Sequence, residues 1–401
     1  MRRIKLQEPT YNQEEIKSIL DILTSEMVVM GKKTIEFQNK WSNWLGVKYS
    51  TFVNSGSSAN LLLINLLTSK RAKYKLKPED EILIPAVTWS TTLYPIIQLG
   101  LKPILVDVDP FTFNISLESC EKAISSKTKA IFAVHLLGNP IDMDKLSEFC
   151  EANKLLLLED CCEATGSKWN DRKVGTFGLS SSFSFMFAHH MSTIEGGMVC
   201  CNNLDDDRVI KSSRAHGWIR ELDDLFKEEI INEENLDYQK FLFWDMGYNV
   251  RPTEISAVMG EHQLNKINRF IEIRKTNYSY YKKLFNDLSD FISIQQVCKE
   301  EIADASFFAL GFIIKKDQKH IRRKLMNYLD ANGIESRPLV AGNLARHPFY
   351  KLYCDKPRVP LTNSDLIHER GMYIPNHQNI SIDDINYIVD VMKRFFNNEK
   401  I

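Results

Sequence analysis

The chain has 401 residues, 44% of them hydrophobic, and its 51 basic residues almost balance its 52 acidic ones. Because the charges are mixed along the chain, we expect neither a nucleic acid nor an anionic membrane as a partner. The polar start is unlike a signal peptide and no apolar run approaches roughly 18 residues, so the sequence predicts a cytoplasmic globular protein with more than one domain.

A turn rich in Gly and Ser is the first segment with a chemical signature. In VNSGSSANLLLINLL, residues 53–67, this turn opens an amphipathic helix. A helix that begins with small residues exposes backbone amides and its positive dipole end, which suits a bound phosphate. Helix capping alone would also explain the serines, so this segment by itself leaves both interpretations open.

Four short apolar runs predict buried strands, at 81–86, 102–109, 129–138 and 154–160. Each run is rich in Ile, Val and Leu, ends in a polar residue, Gly or Pro, and precedes a more helical pattern. This alternation is typical of a parallel sheet that is covered on both faces. Ligands of such sheets bind beyond the carboxyl ends of the strands, so the residues that end these strands are candidates for chemistry.

An acidic pair, Glu159 and Asp160, ends the last of these runs in LLLLEDCCEATGS. An unpaired buried charge is very costly, so at least one of the two carboxylates should face the ligand crevice. Asp160 could pair with a protonated ring nitrogen, the contact that makes pyridoxal phosphate an electron sink. Alternatively, Asp160 caps the helix that follows.

Residues 180–201, SSSFSFMFAHHMSTIEGGMVCC, predict two strands joined by a loop with adjacent histidines, His189 and His190. The Glu-Gly-Gly segment permits a tight turn before the second strand, and Ser184 could donate its hydroxyl to a phosphate. The histidines are either catalytic or ordinary turn residues with satisfied hydrogen bonds. A metal site is not expected, because no further ligand follows at helical spacing.

The pattern of the chain changes at Glu254. Residues 254–288 have apolar positions at helical spacing and predict one long helix. A strand and two helices are predicted after it, at 305–316, 320–333 and 382–396. We expect a large domain of residues 1–253 and a smaller α+β domain of residues 254–401, with the N-terminal segment packed on the small domain.

The order of these segments, together with TWSTT at 88–92, resembles the nucleotide-sugar aminotransferase family of fold-type-I pyridoxal-phosphate enzymes. That family carries its cofactor-bonding lysine six residues before the Glu of Glu-Gly-Gly, and here the position is His189. A histidine at this position is the mark of the 3-dehydratase branch. The similarity covers nearly the whole chain and includes MVVMGK, LLGNP, GTFG, RAHGW, GYNVRPTEISA, ESRPLVAGN and NHQ.

The resemblance implies an α/β fold and a set of site residues. The fold would be aminotransferase-like, with a mostly parallel seven-stranded sheet flanked by helices in the large domain. The expected cofactor-binding residues are Gly56, Ser57, Trp89, Asp160, Glu163, Ser184 and Asn249. Among them Trp89 would stack on the pyridine ring and Asn249 would reach the phosphate of the neighbouring subunit. The resemblance therefore also implies a homodimer with shared active sites.

The expected catalytic residues are His189, a general base, and His216, which would set the face of proton return. Arg220, Glu335 and Arg337 are expected to contact the sugar or glutamate. Because histidine cannot bond to the cofactor as lysine does, pyridoxal phosphate would be held non-covalently and would act in its amine form, pyridoxamine phosphate.

The resemblance also implies a reaction. A nucleotide-linked 4-keto-6-deoxy sugar, expected to be the GDP-4-keto-6-deoxy-D-mannose of the colitose pathway, would lose its C3 hydroxyl. L-Glutamate would then recharge the cofactor and leave as 2-oxoglutarate, so that the products are a 4-keto-3,6-dideoxy sugar and ammonia. No motif in the sequence specifies the nucleotide or the stereochemistry of the sugar.

Two other functions stay open, and one is set aside. An aminotransferase would leave the amino group on its product, although the missing lysine speaks against it, and a non-catalytic binding protein could share the fold. A second histidine-bearing branch uses an iron–sulfur cluster and a reductase. We expect neither here, because no cysteine lies between Cys201 and Cys298, and the eight cysteines indicate reduced, buried thiols.

Overall fold

The computed structural model describes residues 3–25, 27–234, 241–315 and 320–398. Lys316, the last residue of the predicted strand at 305–316, lies outside them. The helices are α1 (Gln13–Thr24), α2 (Lys32–Leu45), α3 (Gly56–Thr68), α4 (Ser90–Gln98), α5 (Leu117–Ala123), α6 (Met143–Asn153), α7 (Leu204–Arg214), α8 (Asp224–Glu234), α9 (Glu254–Phe285), α10 (Ile321–Ala331), α11 (Pro348–Tyr353), α12 (Thr362–Arg370) and α13 (Ile382–Asn398). The strands are β1 (Tyr49–Val53), β2 (Glu81–Pro85), β3 (Lys102–Val106), β4 (Thr128–Val134), β5 (Leu156–Asp160), β6 (Lys168–Trp169), β7 (Arg172–Lys173), β8 (Ser180–Ser184), β9 (Gly197–Cys201), β10 (Ile292–Ile294), β11 (Ala303–Asp304), β12 (Leu310–Ile314), β13 (Arg337–Pro338) and β14 (Gly371–Ile374).

A seven-stranded sheet organises the first part of the chain, in the order β1-β9-β8-β5-β4-β2-β3. The pairs β2–β3, β2–β4, β4–β5 and β5–β8 are parallel, and β9 is antiparallel to both of its neighbours. Strands β2 to β5 lie on the four predicted apolar runs, and every residue of β2 is buried. The predicted α/β fold with a mostly parallel seven-stranded sheet is confirmed.

A second, four-stranded sheet has the order β10-β12-β14-β13 and is antiparallel throughout. Helices α10 and α13 bury their apolar sides against it in one core cluster, which includes Leu325 and Ile388. The N-terminal segment joins this part of the chain, because Ile4 forms a parallel bridge with Ile334. The division into domains at 253/254 stays a prediction.

Helix α9 corresponds to the long helix that the sequence predicts at 254–288. It begins at Glu254, and Thr253 caps it with a hydrogen bond from the amide of Ser256. Its buried residues include members of two separate core clusters, Ile267 beside the large sheet and Tyr281 beside the small one. No helix in the described parts of the chain is long and apolar enough to cross a membrane.

The adjacent histidines lie in a loop of residues 185–196 between β8 and β9, which we call the histidine loop. Backbone bonds close it like a narrow hairpin: the amide of Phe185 donates to Gly196 and that of Phe187 donates to Ile194, both at 2.9 Å. Ile194 has a φ of +68°, which is rare for a β-branched residue and is typical of functional loops.

Gly197, the first residue of β9, lies against the turn that opens α3. A Cβ atom at Gly197 would be 2.3 Å from the carbonyl oxygen of Ser55 and 2.7 Å from the amide nitrogen of Gly56. Both distances are far inside ordinary contact, so only glycine allows this approach of two backbones. The second glycine of Glu-Gly-Gly therefore fixes the distance between the helix turn and the sheet.

We expect Gly197→Ala to lower the free energy of unfolding by about 1–3 kcal/mol, because the added methyl group overpacks the contact with the turn. It should also weaken the binding of pyridoxal phosphate, because the first turn of α3 is displaced. Thermal unfolding and a cofactor titration measure the two effects. Cys201→Ala, at the other end of β9, is the control and should leave cofactor affinity unchanged; equal affinities in all three proteins would contradict the role given to Gly197.

Candidate active site

A cavity of about 400 Å³ lies beyond the carboxyl ends of the parallel strands, the position that this type of sheet favours for ligands. Its lining brings together eight of the predicted site residues: Gly56, Ser57, Trp89, Asp160, Glu163, Ser184, His189 and Arg337. The other four predicted residues, Glu335, His216, Arg220 and Asn249, are not among those that line it.

One end of the cavity is formed by the first turn of α3. The hydroxyl of Ser55 accepts the amide of Ser58 at 3.1 Å, which leaves the amides of Gly56 and Ser57 without a partner inside the helix. The hydroxyl of Ser184 lies close by, because a Cβ atom at Gly56 would be 2.6 Å from the Cβ of Ser184. Two free amides, a hydroxyl and a positive helix dipole form a suitable phosphate site.

Asp160 ends β5 and lines the cavity with its side chain almost fully buried. Its Oδ2 accepts hydrogen bonds from Asn60 Nδ2 and Thr92 Oγ1, both at 2.9 Å, and its Oδ1 accepts the amide of Cys162 at 3.1 Å. It caps no helix, since the next one, α7, begins at Leu204. Three donors therefore satisfy the oxygens of this buried carboxylate and fix its orientation.

Two of these donors were not predicted from the sequence. Asn60 lies one helical turn after Gly56, and its Oδ1 accepts the hydroxyl of Ser182 at 2.5 Å, which directs its amide nitrogen to Asp160. Thr92 lies three residues after Trp89 in TWSTT. Each is spaced at one turn from a residue that was predicted, and this spacing is the only sequence signal for them.

Glu159, the other member of the acidic pair, is fully buried and does not line the cavity. It accepts the amides of Gly175, Phe177 and Gly178 at 2.7–2.8 Å. His135 Nε2 lies 3.2 Å from Oε2, the oxygen that also accepts the amide of Gly175. Glu159 is therefore a satisfied core carboxylate that holds the turn before β8, while Asp160 faces the cavity.

His189 lines the cavity with one ring nitrogen fixed. Its Nδ1 lies 2.5 Å from the carbonyl oxygen of Cys162, and because a carbonyl can only accept, Nδ1 carries the proton. Burial lowers the pKa of His189 to about 4, and the Cys162 carbonyl opposes this only in part. The ring is therefore neutral at pH 7, and its Nε2 is an unprotonated base.

Trp89 and Phe308 provide the aromatic walls of the cavity. Trp89 immediately precedes α4 and has 58% of its surface exposed, unlike a tryptophan that serves the core. Phe308 comes from the segment before β12, and its ring centroid lies 5.3 Å from that of His189. No sequence pattern signals the role of Phe308, because the contact depends on how the small sheet packs on the large one.

Arg337 lines the cavity beside the N-terminal segment. Its guanidinium lies 3.3 Å from Glu335 Oε1, and the other oxygen of Glu335 accepts the amide of Leu6 at 3.1 Å. Gln7, the next residue, also lines the cavity. Glu335 does not line the cavity, and its carboxylate links Arg337 to the N-terminal segment, which was predicted to pack on this part of the chain.

The remaining predicted residues are outside the cavity lining. His216, Arg220 and Asn249 are exposed, and Asn249 is joined to Ala215 by an antiparallel bridge. None of them lines the cavity of its own chain.

Comparison with known proteins gives a family assignment. The model of the DegT/DnrJ/EryC1/StrS aminotransferase family matches residues 9–393. The chain belongs to this family. The resemblance predicted from the sequence is thereby confirmed.

Relatives within the family support the same placement. GDP-4-keto-6-deoxy-D-mannose 3-dehydratase of Escherichia coli O55:H7 is 38% identical over 96% of this chain and 98% of its own length. A crystal structure of GDP-4-keto-6-deoxymannose-3-dehydratase with bound GDP-perosamine, a variant protein, is 36% identical, with a TM-score of 0.89 over 97% of this chain and 100% of that one. A second, with a trapped PLP-glutamate geminal diamine, is 37% identical, with a TM-score of 0.87 over 97% of this chain and 99% of that one.

Glu163 is the acidic group of the cavity whose charge is most affected by burial. Its carboxylate accepts the amide of Leu137 at 2.8 Å. Loss of solvent raises the pKa of Glu163 to about 7; the amide of Leu137 opposes this only in part, and the neighbouring charge of Asp160 adds a smaller rise. At neutral pH the group is therefore partly protonated and can donate as well as accept.

We expect Glu163→Gln to stabilise the cofactor-free protein at pH 8 but not at pH 5. The pKa in the folded protein lies above the ordinary value of 4.5, so the wild-type protein loses stability as the pH rises from that value to about 7, whereas glutamine has no charge to bury. The measurement is the difference in melting temperature between variant and wild type at both pH values. Glu195→Gln, at an exposed position of the same cavity, is the control; a Glu163→Gln difference that does not change with pH would contradict the assignment.

Proposed function

We propose that this protein is a pyridoxal-phosphate-dependent 3-dehydratase of nucleotide-linked 4-keto-6-deoxy sugars. The expected substrate is GDP-4-keto-6-deoxy-D-mannose, and L-glutamate is the amino donor. The products are a 4-keto-3,6-dideoxy sugar, ammonia and 2-oxoglutarate. This reaction balances, because the oxygen that leaves C3 is matched by the oxygen that converts glutamate into 2-oxoglutarate and ammonia.

One observation carries the proposal: a neutral histidine occupies the position of the family lysine. Among the described residues that line the cavity there is no lysine, and His189 presents an unprotonated Nε2 there while Cys162 holds its Nδ1. Such a base can accept a proton but cannot bond to the cofactor as an amine does. This chemistry fits a dehydratase that works with a non-covalent cofactor.

The residues of the cavity fit pyridoxal phosphate. The amides of Gly56 and Ser57 and the hydroxyl of Ser184 would hold the phosphate, and the ring would lie against Trp89. Asp160, held in place by its three donors, would bind the protonated ring nitrogen. When bound in its amine form, the cofactor supplies the amine that joins the sugar ketone and the ring that accepts the electrons.

The chain's own groups then have separate tasks. His189 Nε2 accepts the proton that is removed, and its ring is held in place by Cys162 and Phe308. Glu163, partly protonated at neutral pH, can donate a hydrogen bond to a developing negative charge. Arg337, the only arginine or lysine among the described lining residues, suits the carboxylate of glutamate or a phosphate of the nucleotide.

The relatives support the choice of substrate and donor. The Escherichia coli relative is named for the GDP-linked sugar, one structure holds GDP-perosamine, and another holds a glutamate adduct of pyridoxal phosphate. Each of these spans nearly the whole of this chain. The proposal of a GDP-sugar and glutamate for this chain depends on that likeness and on the cavity described above.

We expect the purified protein, incubated with pyridoxal phosphate, L-glutamate and GDP-4-keto-6-deoxy-D-mannose, to release a sugar nucleotide that is one oxygen atom lighter. Ammonia and 2-oxoglutarate should appear in equal amounts, because each turnover consumes one glutamate. Mass spectrometry of the sugar and an enzymatic ammonia assay are the measurements. His189→Asn is the matched control and should bind the cofactor but give no product, since its side chain is no base.

A product that gained an amino group in place of the ketone would show an aminotransferase and refute the proposal. Unchanged GDP-sugar with turnover of a CDP- or dTDP-linked substrate would retain the dehydratase chemistry and correct the nucleotide. Bound cofactor without turnover of any of these substrates would favour a binding protein.

We also propose that the active protein is a homodimer with shared sites. His216, Arg220 and Asn249 are polar, exposed and outside the cavity of their own chain. Two large apolar side chains near Asn249 in the sequence, Phe243 and Met246, are also exposed, by 54% and 85%. A surface of this kind is typical of an interface, and its polar residues would complete the cavity of the second copy.

We expect a mixture of two inactive variants, His189→Asn and Arg220→Ala, to regain about a quarter of the wild-type activity after subunit exchange. Half of the dimers would then be mixed, and one of their two sites would combine an intact His189 with an intact Arg220. The measurement is product formation before and after exchange. If Arg220 acts within its own chain, mixing restores nothing, and the shared-site proposal fails.

The domain boundary at 253/254 and a cytoplasmic location are further proposals for this protein. The first is supported by the start of α9 at Glu254 and by separate core clusters on the two sheets.

A further inference from the structure

His190 is fully buried beside the catalytic candidate His189 and does not line the cavity. Its Nε2 donates to the carbonyl oxygen of Ser306 at 2.7 Å, so Nε2 carries a proton. Burial lowers the pKa of His190 well below its usual range, so the ring is neutral. Its Nδ1 is buried without a hydrogen-bond partner. His190 therefore cannot touch the substrate, and its one polar contact connects the histidine loop to a distant segment of the chain.

That segment, residues 305–308, lies between β11 and β12, and we call it the strap. Two hydrogen bonds hold the strap to the large sheet on one side. The amide of Ser306 donates to Ser167 Oγ at 2.9 Å, and the amide of Phe308 donates to the carbonyl of Leu137 at 2.8 Å. Ser167 in turn donates to the carbonyl of Gly138 at 2.6 Å. The strap thus has a fixed position relative to the strand ends that form the cavity.

The other side of the strap is fastened to the long helix and to the small sheet. Arg274 of α9 donates to the carbonyl of Phe308 at 2.8 Å and also to that of Asn376, which follows β14. Asn376 Nδ2 donates to the carbonyl of Phe307 at 3.0 Å. Loops of the large sheet, α9 and the segment after β14 therefore all hold the strap, and His190 is the contact from the histidine loop.

Packing alone does not account for a histidine at position 190. On average a buried nitrogen without a partner costs more free energy than one hydrogen bond contributes. A leucine of similar size would fill the same space without the unpaired Nδ1. What histidine adds is a directed bond that sets the distance between the histidine loop and the strap.

We infer that His190 is a positioning residue that fastens the histidine loop to the strap and thereby fixes the ring of His189. The loop places His189 between two groups, the Cys162 carbonyl at 2.5 Å and the ring of Phe308, itself part of the strap. If the loop moves relative to the strap, both contacts change together. The inference rests on the proposed function, because it assigns His189 the role of base.

The test compares His190→Leu with His190→Gln in the cofactor-loaded protein. We expect His190→Leu to lower the rate constant of the glutamate half-reaction by about 10- to 100-fold, because displacing a catalytic base by about 1 Å slows a reaction by such a factor. The change of cofactor absorbance measures this rate. KM for glutamate and the affinity for pyridoxal phosphate should change little. His190→Gln retains a donor for Ser306 and should restore most of the rate.

Ser167→Ala provides an independent perturbation, because Ser167 holds the strap from the side away from His190 and does not line the cavity. It should also slow the half-reaction, and the double variant with His190→Leu should be slower by less than the product of the two single effects. Multiplying effects would show that the two residues do not act through the same strap and would overturn the inference.

Hydrogen exchange of the cofactor-free protein gives a readout that needs no activity. Amides of residues 185–196 should exchange about 10-fold faster in His190→Leu and in Ser167→Ala than in wild type or His190→Gln. The positioning role would be refuted if exchange were unchanged in the variants. It would also be refuted if His190→Gln were as slow in the half-reaction as His190→Leu. If the wild-type protein shows no half-reaction at all, the proposed function fails, while the exchange result still decides whether His190 holds the loop.

Discussion

The site depends on one carboxylate, that of Asp160, which hydrogen bonds hold at the end of a buried strand. A carboxylate in this position needs several donors, because an unpaired buried charge would be very costly. The donors come from three different elements: Asn60 of α3, Thr92 of α4 and the backbone of Cys162 after β5. The hydrogen bonds that stabilise Asp160 therefore also fix the relative positions of these elements.

The same elements carry the other groups of the site. This explains why the cavity is rigid although its residues come from distant parts of the chain. The helix of Asn60 begins with the turn that we propose as the phosphate site, called the phosphate turn below, and the helix of Thr92 begins next to Trp89. Cys162 donates its amide to Asp160, and its carbonyl fixes the ring of His189. One carboxylate thus sets the distances between the phosphate turn, the aromatic wall and the base, which is the preorganisation that catalysis requires.

The sequence predicted the features that depend on local pattern and missed those that depend on tertiary contact. The strands at 81–85 and 156–160 follow from apolar runs, because a parallel sheet buries both faces of a strand. The bond between Asn60 and Asp160 joins residues 100 positions apart, and no local pattern signals it. The strap at 305–308 was predicted only as part of a strand, since its role depends on the packing of one sheet against the other.

The two adjacent histidines show how position, not residue type, decides a side chain's task. In this loop His189 faces the cavity and His190 faces the strap, and each is set by the backbone carbonyl that its ring contacts. A lysine at position 189 could bring its amine to a cofactor along a flexible chain of four carbons. An imidazole is short and rigid, so the backbone that carries it sets the position of its Nε2. Nε2 stays at one position only when that backbone is held. The replacement of lysine by histidine therefore requires a fixed loop, and the bond from His190 to Ser306 meets that requirement.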